Sequence, residues 1–132
     1  MVVGDFEATW VELAEKAWAV RENACAHGPT RVGAAVLASD GSVFVGCNVE
    51  HRFRSHDVHA EVNALSGMIA AGRRDARAIV IAAERDHFTP CGACLDWIFE
   101  LGGPDCLVAF QGVRGGEVAA RRADELMPYN PR

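Results

Sequence analysis

The 132-residue sequence has no apolar run long enough to cross a bilayer as a helix. Its opening stretch, Met1 to Glu7, lacks the basic-then-apolar form of a secretory leader. Both absences lead us to expect a cytoplasmic protein without a membrane partner. A basic excess is missing too, since 13 basic against 18 acidic residues give a formal net charge of −5. Proteins that grip nucleic acid by its phosphates carry a basic patch or excess. Arginines pair locally at Arg52 and Arg54, Arg73 and Arg74, and Arg121 and Arg122. Read as short pairs without interleaved aromatics, they predict solvated faces. The expected partner is a small molecule, not a stable nucleic acid complex. Internal repeats and linkers are also absent, so residues 1–132 are expected to form a single domain. Hydrophobic residues make up 50% and charged ones 23%, which suits a packed core and excludes a disordered tail. Five cysteines is an odd number, and a reducing compartment keeps them as thiols. Cys25, Cys47 and Cys106 lie among apolar or small neighbours and read as buried structural thiols.

The hydrophobic pattern gives the architecture. Phe6, Trp10, Leu13, Ala17, Val20 and Ala24 recur at three- and four-residue steps, which predicts an amphipathic helix of about twenty residues stopped by His27-Gly28-Pro29. Val32–Ala38 and Val43–Cys47 flank Asp40-Gly41 and read as a β-hairpin. From Val58, the positions Val62, Leu65, Met68 and Ile69 return at helical spacing until Gly72. Ala78–Ala83 reads as a buried strand. A helix after Pro90 carries Leu95, Ile98 and Phe99 and closes at Gly102-Gly103. Cys106–Phe110 is a second buried strand and Val118–Ala120 a weaker one. This order predicts an α/β fold, a sheet of about five strands flanked by helices.

Two stretches carry the chemistry: His59-Ala60-Glu61 and Pro90-Cys91-Gly92-Ala93-Cys94. Zinc takes cysteine sulfur and histidine nitrogen tetrahedrally, and a catalytic zinc keeps three protein ligands and one open position. His59, Cys91 and Cys94 make three. Cys91 and Cys94 share one end of a first helical turn. His59 and Glu61 would point to opposite sides of a helix interior, yet at a first turn both reach the space beyond the helix end. Helix N-termini favour thiolate. Two thiolates, a neutral imidazole and Zn²⁺ sum to no net charge, which suits a water that must ionise near neutral pH. Glu61 is then the proton carrier, its pKa raised by burial. Cys-x-x-Cys alone also fits a redox pair or half of a four-ligand structural site. A redox pair has no use for His59-Ala60-Glu61. A structural site needs a fourth ligand, for which His51, His56 and Cys47 are the nearby candidates. Glu61 could also be a solvated helix-start carboxylate that complements the dipole.

The pairing of His-x-Glu with Pro-Cys-x-x-Cys is similar to the signature of zinc-dependent deaminases, and the chain resembles the cytidine deaminase family over nearly its whole length. Val32-Gly33-Ala34-Ala35-Val36 resembles that family's first strand. Gly46-Cys47-Asn48-Val49-Glu50 and Asp124-Glu125-Leu126-Met127-Pro128 resemble two further family stretches. The resemblance implies a three-layer α/β/α sheet and zinc-dependent hydrolysis of cytidine or deoxycytidine to uridine or deoxyuridine plus ammonia. It implies that an activated water attacks while Glu61 shuttles the proton. It also implies that Asn48 and Glu50 hold the sugar hydroxyls, and that Ala60 and Thr89 line the base. A homotetramer is implied as well. Short members of the family usually have Cys-Ala-Glu-Arg where this chain has His59-Ala60-Glu61-Val62. That change is coherent in charge: the histidine removes the negative charge that an arginine would offset. Thr30-Arg31 stands where the family has Phe-Pro, and His51-Arg52-Phe53-Arg54 where it has Asn-Ala-Ser-Tyr. The second stretch is similar to one in blasticidin S deaminases, so a modified cytosine nucleoside or another amino-heterocycle stays open as substrate. A zinc-binding module without catalysis stays open beside it.

Overall fold

A computed structural model describes residues 7–131. Helix α1 (Glu7–Arg21) precedes the hairpin β1 (Gly33–Ala38) and β2 (Val43–Cys47). Helix α2 (Ala60–Ala70), strand β3 (Ala76–Ala82), helix α3 (Gly92–Gly102), strands β4 (Leu107–Gln111) and β5 (Val118–Arg122), and a short helix α4 (Ala123–Leu126) follow. The sheet runs β2-β1-β3-β4-β5. Among the strands of the described residues only β3 and β4 pair in parallel, and α3 makes the crossover that such a pair requires.

Alternation along the strands divides the core into two layers. Ala34, Val36, Ile79, Ile81 and Val108 face α2 and α3, packing with Ala64, Leu65, Met68, Ile98 and Phe99. Ala35, Ala78, Val80, Ala82, Leu107 and Ala109 face α1, meeting Trp10, Leu13, Ala14, Ala17 and Trp18. This is the expected three-layer arrangement. With both faces covered, β3 reads as a continuous apolar run from Ala78 to its end, and only Arg77 near its start is exposed.

The first helix is shorter than its periodicity suggests. It ends at Arg21, six residues before His27, and the segment after it is drawn into the sheet end. There the Cys25 N–H donates to the Asn48 carbonyl at 3.0 Å, and the Glu50 N–H donates to the Cys25 carbonyl at 2.7 Å. Cys25 is therefore exposed, contrary to the buried thiol expected of it. Cys47 is half-buried and Cys106 is buried. Phe6 lies outside the described residues. Trp18, which the periodic set skipped, is buried and donates to Gln111 Oε1 at 2.6 Å, tying α1 to β4.

Two glycines set how closely the helices approach. A Cβ at Gly33 would meet the Ala17 carbonyl oxygen at 1.9 Å, and one at Gly46 would meet the Ala64 nitrogen at 2.4 Å. The Asn63 side chain fixes the second contact by accepting the Cys47 N–H at 3.0 Å. Helix α2 is thus seated directly on β2, and its first residues fall at one end of the sheet. Register puts Gly33 opposite both Cys47 and Ala82. The chain before β1, after β2 and after β3 consequently emerges at that same end.

Candidate active site

His59 and Cys91 occupy the N-cap positions of α2 and α3. Ser, Thr, Asp and Asn are usual there, because their side chains close back on the helix N–H groups. Neither His59 nor Cys91 makes such a bond, and both backbones are extended. The two side chains are left to point beyond the helix ends. Cys94 follows at the third helical position, the spacing at which a capping pair converges. Pro90 precedes the cap rather than opening the helix as the sequence suggested, which the extended backbone of Cys91 explains.

Across the two ends, His59 Nδ1 lies 3.3 Å from Cys94 Sγ and 3.4 Å from Cys91 Sγ. All three ligand atoms fall within 4.8 Å of one another. Tetrahedral zinc, with bonds of about 2.0–2.1 Å to nitrogen and 2.3 Å to sulfur, separates those atoms by about 3.6 Å. The donor set therefore fits zinc. Among the described residues no fourth histidine, cysteine or carboxylate joins the group, so the ion would keep an open position. His51 and His56, the fourth-ligand candidates, instead stack on each other with ring centroids 4.9 Å apart. Burial pushes the Cys94 thiol well above the ordinary thiol range, with the Glu61 charge adding to it. A dication supplies the field that reverses this and holds the sulfur as thiolate.

Glu61 is 3% exposed. Burial raises its carboxyl above the ordinary range, against its own backbone N–H and the nearby His59 charge. It is no solvated helix-start carboxylate. Its side chain, with those of His59 and Cys91, borders a cavity of about 340 Å³. Ala60 and Thr89 border it too, as do Asn48 and Glu50 from the end of β2. A larger depression of about 550 Å³ lies at the opposite end of the sheet, around Ser39, Asp75 and Arg77. Among the described residues it holds no cluster of metal donors.

The profile of the cytidine and deoxycytidylate deaminase zinc-binding region matches residues 8–110. The chain belongs to the cytidine deaminase family. Its cofactor is zinc, held by His59, Cys91 and Cys94, and its chemistry is that of a zinc-dependent hydrolase. A cytidine deaminase of Halalkalibacterium halodurans is 37% identical over 99 residues, spanning 74% of each chain. A probable cytidine deaminase of Dictyostelium discoideum is 38% identical over 80 residues, spanning 59% of this chain and 54% of that one. The crystal structure of cytidine deaminase from Burkholderia pseudomallei superposes with a TM-score of 0.82 at 38% identity, covering 89% of this chain and 95% of that one. No helix among the described residues is long and apolar enough to cross a membrane.

Asn48 and Glu50 are both buried and both already bonded to the protein. Asn48 Oδ1 accepts the Val32 N–H at 2.8 Å while Nδ2 donates to the Thr30 carbonyl at 2.9 Å. Glu50 Oε1 accepts the N–H groups of His27 at 2.7 Å and Gly28 at 3.3 Å. Those two N–H groups hold the Glu50 carboxyl below the usual range, with Arg54 assisting. Each group keeps some bonding capacity for a ligand.

Sequence reasoning missed several wall residues. Phe88 borders the cavity, stacks on Phe110 at 5.3 Å and has the Arg85 guanidinium over its ring. An aromatic wall is thus present although Thr30-Arg31 lacks one, and Phe88-Thr89-Pro90 was the available signal. Asp57, unnamed from the sequence, also borders the cavity, paired at 2.8 Å with Arg54, one of the two loop arginines the sequence offered as a substrate contact. The reading of the arginine pairs as clear of aromatics fails at this loop. Phe53 lies between Arg52 and Arg54, 56% exposed, with the Arg52 guanidinium 5.2 Å from its ring centroid.

Proposed function

We propose that this protein hydrolyses the exocyclic amino group from free cytidine and deoxycytidine, with Glu61 moving the protons. The observation that carries this reading is the buried Glu61 carboxyl, bordering the same cavity as the three-donor metal cluster. Bound zinc supplies Lewis acidity and makes a water nucleophilic near neutral pH. Glu61 takes the proton of that water as it adds to C4 of the base. It delivers that proton to the adjacent ring nitrogen, then takes the remaining proton from the new hydroxyl on C4 and passes it to the amino group as the carbon–nitrogen bond breaks. Water is consumed, ammonia leaves, and the base becomes uracil. A carboxyl raised towards neutrality can both accept and return a proton at working pH, which an ordinary surface glutamate does poorly.

Asn48 and Glu50 are the proposed sugar contacts, and Ala60 and Thr89 the proposed base contacts; all four border the cavity. At about 340 Å³ the cavity lies at the small end of the range usual for ligand sites, roughly 300–1,000 Å³. A metal-loaded screen of cytidine, deoxycytidine, cytosine, guanine and enlarged cytosine nucleosides, read by ammonia release, tests the assignment. Cytidine and deoxycytidine are expected to show the highest kcat/KM. A preference for a free base would remove the sugar contacts and the substrate assignment together. The second reading is an enlarged cytosine nucleoside, favoured by Arg54 and Asp57 at the cavity wall.

We also propose a homotetramer. Support comes from an apolar groove between α2 and α3, where Val62, Leu65, Ile69 and Leu101 surround a half-exposed Trp97. Sedimentation velocity on the zinc-loaded protein is expected to give about four times the mass of one chain, following the preference of oligomers for closed symmetry. A monomer at micromolar concentration would refute it.

A further inference from the structure

We propose that Arg54 determines specificity at the sugar end of the cavity, acting as a positioning residue that fixes Glu50 to accept a substrate hydroxyl. The inference rests on the nucleoside reading above.

The loop from Glu50 to Asp57 is closed at its base by reciprocal backbone bonds between Val49 and Val58, at 2.8 and 2.9 Å. Within it, Arg54 bridges two carboxylates. Its Nη2 lies 3.2 Å from Glu50 Oε2, and its Nε lies 2.8 Å from Asp57 Oδ2. Asp57 is itself anchored, since its Oδ1 accepts the His51 N–H at 2.7 Å. Glu50 is held at its other oxygen by His27 and Gly28. A carboxylate offers about four lone-pair sites, and three of them are occupied here. One acceptor site remains, on a carboxylate whose torsion is fixed from both sides.

Glu50, Arg54 and Asp57 all border the same cavity as Glu61. The site therefore offers a single charge-assisted acceptor, suited to one neutral hydroxyl of a sugar. An anionic group there would meet two carboxylates beside the one guanidinium. The geometry favours an uncharged nucleoside over its phosphate at this position. Lysine cannot reproduce the arrangement, because a point charge lacks the planar fork that reaches both carboxylates at once.

Such a contact lies away from the reacting atoms and is made equally in the ground and transition states. Losing it raises KM and leaves kcat nearly alone. The test is steady-state kinetics on cytidine with the zinc-loaded wild type, Arg54→Ala, Arg54→Lys, Glu50→Ala and the Arg54→Ala/Glu50→Ala double variant. Arg54→Ala is expected to raise KM on the order of tenfold with kcat within about twofold, and Arg54→Lys to fall between it and wild type. In the Glu50→Ala background the same arginine substitution should add less than about twofold, because the two act as one unit. Equal effects in both backgrounds would overturn the proposal, as would an unchanged KM or a fall confined to kcat. A wild type inert towards every cytosine nucleoside refutes the substrate reading before any variant is compared, and this inference falls with it.

Discussion

Glu61→Gln is expected to fold, to bind zinc at the wild-type ratio, and to lose turnover of cytidine by about 10²–10⁴-fold or more. Glutamine keeps the volume and one acceptor oxygen, so at 3% exposure the packing at the start of α2 is preserved. It also removes a charge that burial opposes, and stability should not fall. What it cannot do is take a proton from water and return it to the base. The chemistry needs the proton on the ring nitrogen and then on the departing amine, and the other carboxyls bordering the cavity, Glu50 and Asp57, are both paired with Arg54. Zinc content by mass spectrometry and single-turnover rates separate the two roles. Turnover within tenfold of wild type, in a fully metallated variant, would remove Glu61 from the mechanism.

The contrast between Glu61 and Arg54 shows what the sequence can carry. His59, Glu61, Cys91 and Cys94 are legible because their spacing, taken with the start of a helix, leaves few directions for the side chains to point. The sequence cannot say that Arg54 bridges Glu50 and Asp57, since a flexible side chain in a loop finds its partners only when the loop is closed at Val49 and Val58. Strands were readable in proportion to burial. In β3 nearly every side chain is covered on both faces. In β5 every position is exposed or half-buried, and the pattern faded before Arg121 and Arg122, which still pair with β4.

Helix ends were less legible for a physical reason. Apolar spacing continues through Val20 and Ala24, but backbone pairing of Cys25 with Asn48 and Glu50 offers more than another helical turn would. The short α4 has too few residues to show a period. It forms because Glu125 reaches back to the Arg122 N–H at 2.9 Å and Ala123 is fully buried. Tertiary context overrides local propensity in both cases.

His59→Ala is expected to abolish zinc retention: after dialysis against a mild chelator, the metal should fall from about one ion per chain to below about a tenth. Removing the imidazole leaves two sulfurs, one of them a buried thiol that burial keeps protonated unless a dication stands beside it. Two donors cannot both supply that field's anchor and fill a tetrahedron, so affinity and thiolate character are lost together. A readout independent of turnover follows from linkage, because added zinc should raise the Tm of the wild type and leave that of His59→Ala in place. His59→Cys makes the complementary case. It restores three donors and should retain zinc, but three thiolates leave a net charge of −1 beside Glu61, where Val62 offers no compensating cation. Its kcat should therefore fall although the metal stays. Full zinc occupancy in His59→Ala would show that the ion is held elsewhere, and the chemistry assigned to this end of the sheet would go with it.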